Sequence, residues 1–390
     1  MVDSPVKDKA SRNVVQLTKE LVKIPSENPP GDQKPIAEFL ESRMKAIGLK
    51  VVRYDFDRNK PNVVGKLAGR RDTPVLMFNG HVDTVPAGEV DKWQFDPFGA
   101  VEHEGKLYGR GSADMKGGLA SMICAAESIV ESGLDLNGSL LLTCVVDEEL
   151  TGFGTRDIVE KGYRADFAVV GEPTNLTVQT AHKGALEFNV RTRGISVHAS
   201  QPRRGVNAVY KMSKVCLALE KYLGELEKIE HPLVGKASIS VGRIEGGTAR
   251  NVVPESCEIW VERRVLPNED FDNVKLDLQE VFKRLQDEDR DLRLEWNITL
   301  EVDAAETPSN SLIVKKATEA VSEVTGKPRE VRGFTATSDM RFLVNQAKIP
   351  TIILGPGGLE QAHVTDEFIE VRQLIDSTRI YCNIAQKLLE

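Results

Sequence analysis

The chain has 390 residues, a net charge of −8, 41% apolar and 28% charged residues. That length exceeds one simple core and predicts two domains. The acidic balance, spread without a long single-sign run, argues against nucleic acid as a main partner. No apolar run reaches about 18 residues, so no transmembrane helix is expected.

The first residues, MVDSPVKDKASRN, are polar and carry no apolar secretory core, which makes cytoplasm the expected location. Cys124, Cys144, Cys216, Cys257 and Cys382 are scattered without CxxC spacing and read as buried thiols. Ser11–Ile24 has helical spacing and stops at Pro25. Pro35–Ile47 is a second amphipathic helix with Gly48 just beyond it. Lys50–Asp55 and Asn62–Leu67 read as strands.

Val75–Asn79 is a short buried strand, and His81 and Asp83 follow at i, i+2 spacing, so an imidazole and a carboxylate leave its end together. Open α/β sheets bind ligands at such strand ends. Pro86–Tyr108 reads as a long irregular loop with Trp93 and Phe95, which either line a pocket or pack the loop. Asp114 lies in a Gly-rich turn before a helix of small residues, Leu119–Val130. The turn lacks GxxxxGK[ST] and offers an acid, so it is no phosphate loop.

Ser139–Val146 is a second apolar strand, ending in Asp147, Glu148 and Glu149. Thr155–Lys161 is a helix, and Phe167–Val170 is a third strand, ending near Glu172. Buried acids need solvent, a proton or a cation. Asp147 is assigned a structural hydrogen bond.

From residue 181 the order becomes strand (Ala185–Arg193), helix (Val206–Glu227), strand (Lys236–Glu245), strand (Ser256–Leu266), helix (Phe271–Gln286), strand (Leu292–Thr299). This β-α-β-β-α-β order predicts a ferredoxin-like α+β unit at 181–296, inserted into an α/β domain formed by 1–180 and 297–390. That larger domain is expected to have a mostly parallel central sheet flanked by helices. It resumes with the Ser311–Thr325 helix, a polar turn at Gly333–Asp339, a short helix Asp339–Ala347 and a strand Thr351–Leu354. GPGG (Gly355–Gly358), His363 and the Val371–Leu389 helix follow. His103 and His231 are expected at the surface, and His182 at a hinge or in packing.

Two histidines and several acids, without sulfur, suit Zn²⁺, with Co²⁺ or Mn²⁺ as alternatives. The set is too large for one tetrahedral ion with an open position and matches two ions sharing a carboxylate, which together activate water and polarise a carbonyl. On an extended backbone Glu148 and Glu149 point apart, so one can ligate while the other moves protons. The expected chemistry is metal-assisted hydrolysis.

HVDTVP (His81–Pro86), GRGSADMKGG (Gly109–Gly118), DEE (Asp147–Glu149), GEPT around Glu172, SVHAS (Ser196–Ser200), ARNVVP (Ala249–Pro254) and the late Ala362–His363 resemble the M20 metallopeptidases. That group includes acetylornithine deacetylase, succinyl-diaminopimelate desuccinylase, aminoacylase-1 and glutamate carboxypeptidase. The resemblance spans nearly the whole chain. It implies His81, Asp114, Glu149, Glu172 and His363 as metal ligands, with Asp114 bridging, Asp83 orienting His81, and Glu148 as general base. It further implies a lid and dimerisation role for the inserted unit. His198, Asn251, Arg264, Gly355 and Gly357 would contact substrate, His198 in the neighbouring subunit's site, and Arg263 is the alternative to Arg264. The implied substrate is a small N-acyl amino acid or short peptide, handled by a homodimer. Glu172 favours a deacylase or carboxypeptidase over an aminopeptidase.

Overall fold

The computed structural model describes residues 5–57 and 59–390, with side chains from Asn13 onward. The reading of the first residues as non-secretory falls in part on residues 1–4, outside the described residues. The chain divides into two compact units: one runs to Thr180 and resumes over Glu306–Phe334 and Ser338–Glu390, and the other is Ala181–Ala305 with Thr335–Thr337. The second unit extends past the expected boundary at 296 because its last strand, Arg293–Val302, runs longer than the apolar pattern Leu292–Thr299 suggested. Among the described residues no helix is long and apolar enough to cross a membrane.

The first unit is built on a nine-stranded sheet. Its order is Lys50–Asp57, Lys60–Leu67, Ser139–Val145, Val75–His81, Phe167–Val170, Thr351–Ile353, Val178–His182 and Ala305–Glu306, with Val331–Phe334 beside Val178–His182. The four strands from Ser139–Val145 to Thr351–Ile353 are parallel neighbours. Antiparallel strands flank them on either side. The parallel strands are apolar on both faces, as helices covering both sides require. All seven residues of Ser139–Val145 are buried.

Small residues let the helix Gly117–Ser132 press onto this sheet. A Cβ on Gly118 would lie 2.2 Å from the Gly171 carbonyl oxygen. The helices Lys34–Ala46, Leu312–Thr325 and Val371–Leu389 complete the layers through Ile36, Leu40, Ile313, Ala317, Ile380 and Ile384, all buried.

The expected irregular loop at Pro86–Tyr108 is more ordered than its sequence suggested. Val101–His103 and Lys106–Tyr108 form a small antiparallel sheet with Phe368–Glu370. Each strand has three residues, too short for a periodicity signal. Phe95 packs at a tilt against Tyr108, ring centroids 4.9 Å apart, and the Trp93 indole donates to Ala87 O, so the aromatic side chains of this segment pack it together.

The second unit has a four-stranded antiparallel sheet in the order Ser238–Gly246, Ser256–Val265, Gly184–Arg193, Arg293–Val302, with helices Ala208–Leu226 and Phe271–Glu288 packed on it. That is ferredoxin-like strand order. Asn207 and Asp270 cap the two helices, each accepting two backbone N–H groups. His231, expected at the surface, is 6% exposed, because it sits in a short two-stranded ladder with Gly235. His103 is exposed and His182 is buried at the edge of the unit.

Candidate active site

Three apolar strands that lie side by side and run parallel must end at one edge of the sheet. Their sequence extensions carry His81, Asp147–Glu149 and Glu172, so one edge collects them all. His81 is 2% exposed, and its Nδ1–H donates to the Asp83 backbone oxygen at 2.9 Å, leaving Nε2 for a ligand. Nε2 faces Asp114 Oδ1 at 3.1 Å and Glu172 Oε1 at 3.7 Å. The other Asp114 oxygen, Oδ2, faces His363 Nε2 at 3.3 Å, and His363 Nε2 in turn lies 3.1 Å from Glu149 Oε2. Asp114 therefore shows one carboxylate oxygen to each histidine.

These separations can be tested against metal chemistry. Ligands held at roughly 2.0–2.2 Å around a tetrahedral ion lie about 3.2–3.6 Å from each other. The observed spread of 3.1–3.7 Å matches. His81, Asp114 and Glu149 each bring one donor atom within 4.8 Å of the others. Glu172 Oε1 is buried with no hydrogen-bond partner among the described residues, an orphan that a cation would satisfy. The residues fit two divalent ions: His81, Glu172 and Asp114 around one, His363, Glu149 and Asp114 around the other.

The electrostatics carry the same signature. Burial alone would lower the His81 imidazole, but the Glu172, Asp114 and Glu148 carboxylates override it and hold its pKa well above the usual value. Hydrogen bonds to Asp114 and Glu149 push His363 up to about 10. Asp114 lies well below its ordinary value despite burial, because both histidines face it. Burial and the Asp114 charge push Glu172 up to about 8. Acids and imidazoles that ionise one another in this way form a donor set that cations satisfy with release of protons.

Glu148 is different. Its carboxylate makes no hydrogen bond or ion pair with the described residues, and burial pushes it well above the usual carboxylate range. A half-buried, raised and uncommitted carboxyl beside a metal-type cluster has the properties of a general acid–base group. Residues 147–151 form a turn and not an extended segment, so a bend in the chain separates the roles of Glu148 and Glu149, where strict alternation was expected.

Asp83 departs from expectation. Its carboxylate lies 3.6 Å from His81 Nδ1, because the strand ends at His81 and the following turn presents the Asp83 carbonyl to the ring instead. The carboxylate accepts the N–H of Glu148 at 3.1 Å, the N–H of Glu149 at 3.2 Å and Asn28 Nδ2 at 3.0 Å. Asp83 thus fastens the turn that carries both glutamates. Asn28 also donates to Asp147, whose carboxylate pairs with Lys60 and accepts from Thr151, a structural use as assigned.

Gly355 and Gly357 are buried. A Cβ on Gly355 would meet Gly171 O at 2.3 Å and Glu172 O at 2.5 Å, and Gly357 has φ +79° beside Ala113. Glycine is needed there so that the loop can lie against the backbones carrying Glu172 and Asp114.

Sequence reasoning missed three groups. Glu367, 1% exposed, accepts the N–H groups of Ala113 and Asp114 and pairs with Arg110 at 2.5 Å. Asp339, also 1% exposed, accepts from Thr155 and adds negative charge near Glu148 and Glu172. Asn28 sits in SENPPGD, which read only as a loop. An Arg or acid inside an apolar or Gly-rich stretch was the available signal for the first two.

In the second unit, His198 and Asn251 are brought together. His198 bridges to Val252, and Asn251 O accepts the Ala199 N–H. The Ser200 N–H donates to His198 Nδ1 at 3.1 Å, and His198 is exposed. The two neighbouring arginines differ in burial. Arg263 is 0% exposed and pairs with Glu269, whereas Arg264 lies on the opposite face of the strand, 37% exposed and paired with Glu262.

A profile of peptidase family M20/M25/M40 matches residues 77–387. The chain is 30% identical to N-formyl-4-amino-5-aminomethyl-2-methylpyrimidine deformylase of Bacillus subtilis (strain 168), over 94% of this chain and 92% of that protein. It is 31% identical to acetylornithine deacetylase of Vibrio atlanticus (strain LGP32), over 90% of this chain and 92% of that one. Aminopeptidase PepT from Bacillus cereus ATCC 10987 superposes with a TM-score of 0.82 at 22% identity, covering 97% of this chain and 99% of that one, a likeness of fold. The chain belongs to peptidase family M20/M25/M40 and is a metal-dependent hydrolase of the amidohydrolase and peptidase type.

Proposed function

We propose that this hydrolase removes the acyl group from a small N-acyl amine, an N-acyl amino acid above all, using two divalent ions, Zn²⁺ first among them. The observation that carries the two-ion reading is Asp114, with one carboxylate oxygen toward His81 and the other toward His363. The deacylase reading draws on the two relatives at 30% and 31% identity, a deformylase and a deacetylase, both named for removal of a short acyl group.

Bound ions would supply Lewis acidity at the scissile carbonyl and lower the pKa of water. Glu148 takes the proton from the attacking water and returns it to the leaving amine, for which its raised carboxyl is suited. His198 would offer its Nε2 to the oxyanion developing in the neighbouring subunit's site. Arg264, partly exposed beside Glu262, would pair with a substrate carboxylate through its planar fork, and Asn251 would bind beside it. Glu172 is the remaining acidic ligand.

Dimerisation through the second unit belongs to the same reading. Its edge strand Ser238–Gly246 pairs on one side only among the described residues, and Leu217 and Ile244 are 64% and 55% exposed. So does a cytoplasmic location, which suits five free cysteines. A screen of N-formyl, N-acetyl and N-succinyl amino acids and dipeptides with added Zn²⁺ or Co²⁺ tests the proposal. Turnover of one N-acyl class above dipeptides is expected. Dipeptides as the better substrates, or no turnover with both ions bound, would overturn the deacylase reading.

A further inference from the structure

The two halves of the metal-type cluster are held in place by different means. His81 and Glu172 extend from adjacent parallel strands, paired from Leu76–Phe167 through Asn79–Val170, with Gly171 N–H donating to Asn79 O beyond them. The sheet itself sets their separation. Asp114 and His363 have no such ladder. Asp114 lies in the Ser112–Lys116 turn, and His363 lies on the loop after Thr351–Ile353, at φ +62° and half exposed.

Four residues after His363 comes Glu367. Its Oε1 accepts the N–H of Ala113 at 2.9 Å and of Asp114 at 3.1 Å. Its Oε2 takes Arg110 Nη1 at 2.5 Å, and its main-chain oxygen accepts the Gly109 N–H at 2.9 Å. Arg110 is 2% exposed, and its guanidinium lies 5.2 Å from the Trp93 ring. One buried side chain therefore ties the loop of the bridging carboxylate to the loop of the exposed histidine. Its neighbour Asp366 ties the same loop to the Gln94 N–H at 2.7 Å.

We propose that Glu367 is a positioning residue that acts mainly on the second cation: its clasp on the 109–114 backbone sets the distance between Asp114 and His363, whereas the first cation takes only Asp114 from the clasped loops. The inference rests on the two-ion reading above. Because the sheet fixes His81 and Glu172 independently, loss of the clasp separates the two affinities.

The test is titration of the metal-free protein with Co²⁺, followed by visible absorbance and by calorimetry. Wild type takes up two ions. Glu367→Gln keeps the side-chain volume but removes the charge opposite Arg110 and turns an amide donor toward other donors. It is expected to bind the first ion within about threefold of wild type and the second about 10–100-fold more weakly. Glu367→Asp keeps the charge and withdraws the acceptor from the two amides by one methylene, and it gives the same split if the first variant fails to fold. Unchanged second-ion affinity, or weakening of both ions by one factor, overturns the positioning role. Uptake of a single ion by wild type overturns the two-ion reading together with it.

Discussion

At the residue scale, the chemistry depends on where each carboxylate finds its partners. Asp83 spends its oxygens on the amides of Glu148 and Glu149, so its removal releases the turn that aims both. Asp83→Ala is expected to weaken metal affinity or kcat about 10–100-fold, the range for a group that orients ligands. Dialysis equilibrium and steady-state kinetics check this, and wild-type values in both would contradict it. Glu172 gives a prediction about pH. Its ordinary carboxyl value is 4.5, and burial with the Asp114 charge raises it to about 8 in the metal-free fold. The folded chain then holds a proton that the unfolded chain has released between these values. Stability from this group is full below about 4.5 and is lost as pH rises through 8. Thermal unfolding of the metal-free protein from pH 5 to pH 8 should show Tm falling with pH, and less steeply in Glu172→Gln. Parallel slopes would count against the assignment.

At the scale of elements, most of the fold was legible. Fully apolar strands such as Ser139–Val145 announce a parallel sheet interior, and the Val371–Leu389 helix was readable to its ends from its apolar spacing. The three-residue strands Val101–His103 and Lys106–Tyr108 were not, since a period of two needs more residues to show. The site was legible wherever an acid or histidine interrupted an apolar strand, as at His81 and Glu172. It was illegible where function runs through the backbone: the Asp83 carbonyl and the amides clasped by Glu367 leave no side-chain pattern. Arg263 and Glu269 give a prediction at this scale. Arg263 is fully buried and bonded through both terminal nitrogens to Glu269. Glu269→Gln strands that charge and should cost about 3–5 kcal/mol in urea unfolding. A change under about 1 kcal/mol would mean the guanidinium finds water.

At the scale of the molecule, the candidate groups fall in two units. The parallel strands gather the metal-type donors, and the ferredoxin-like unit carries His198, Asn251 and Arg264. In the proposed function Glu148 moves the proton while the other acids and histidines hold cations. The most direct measurement is Glu148→Gln, assayed for turnover on the best N-acyl substrate and for bound metal by elemental analysis. kcat should fall at least about 10²-fold with two ions still bound. A variant that turns over at near-normal kcat would contradict it.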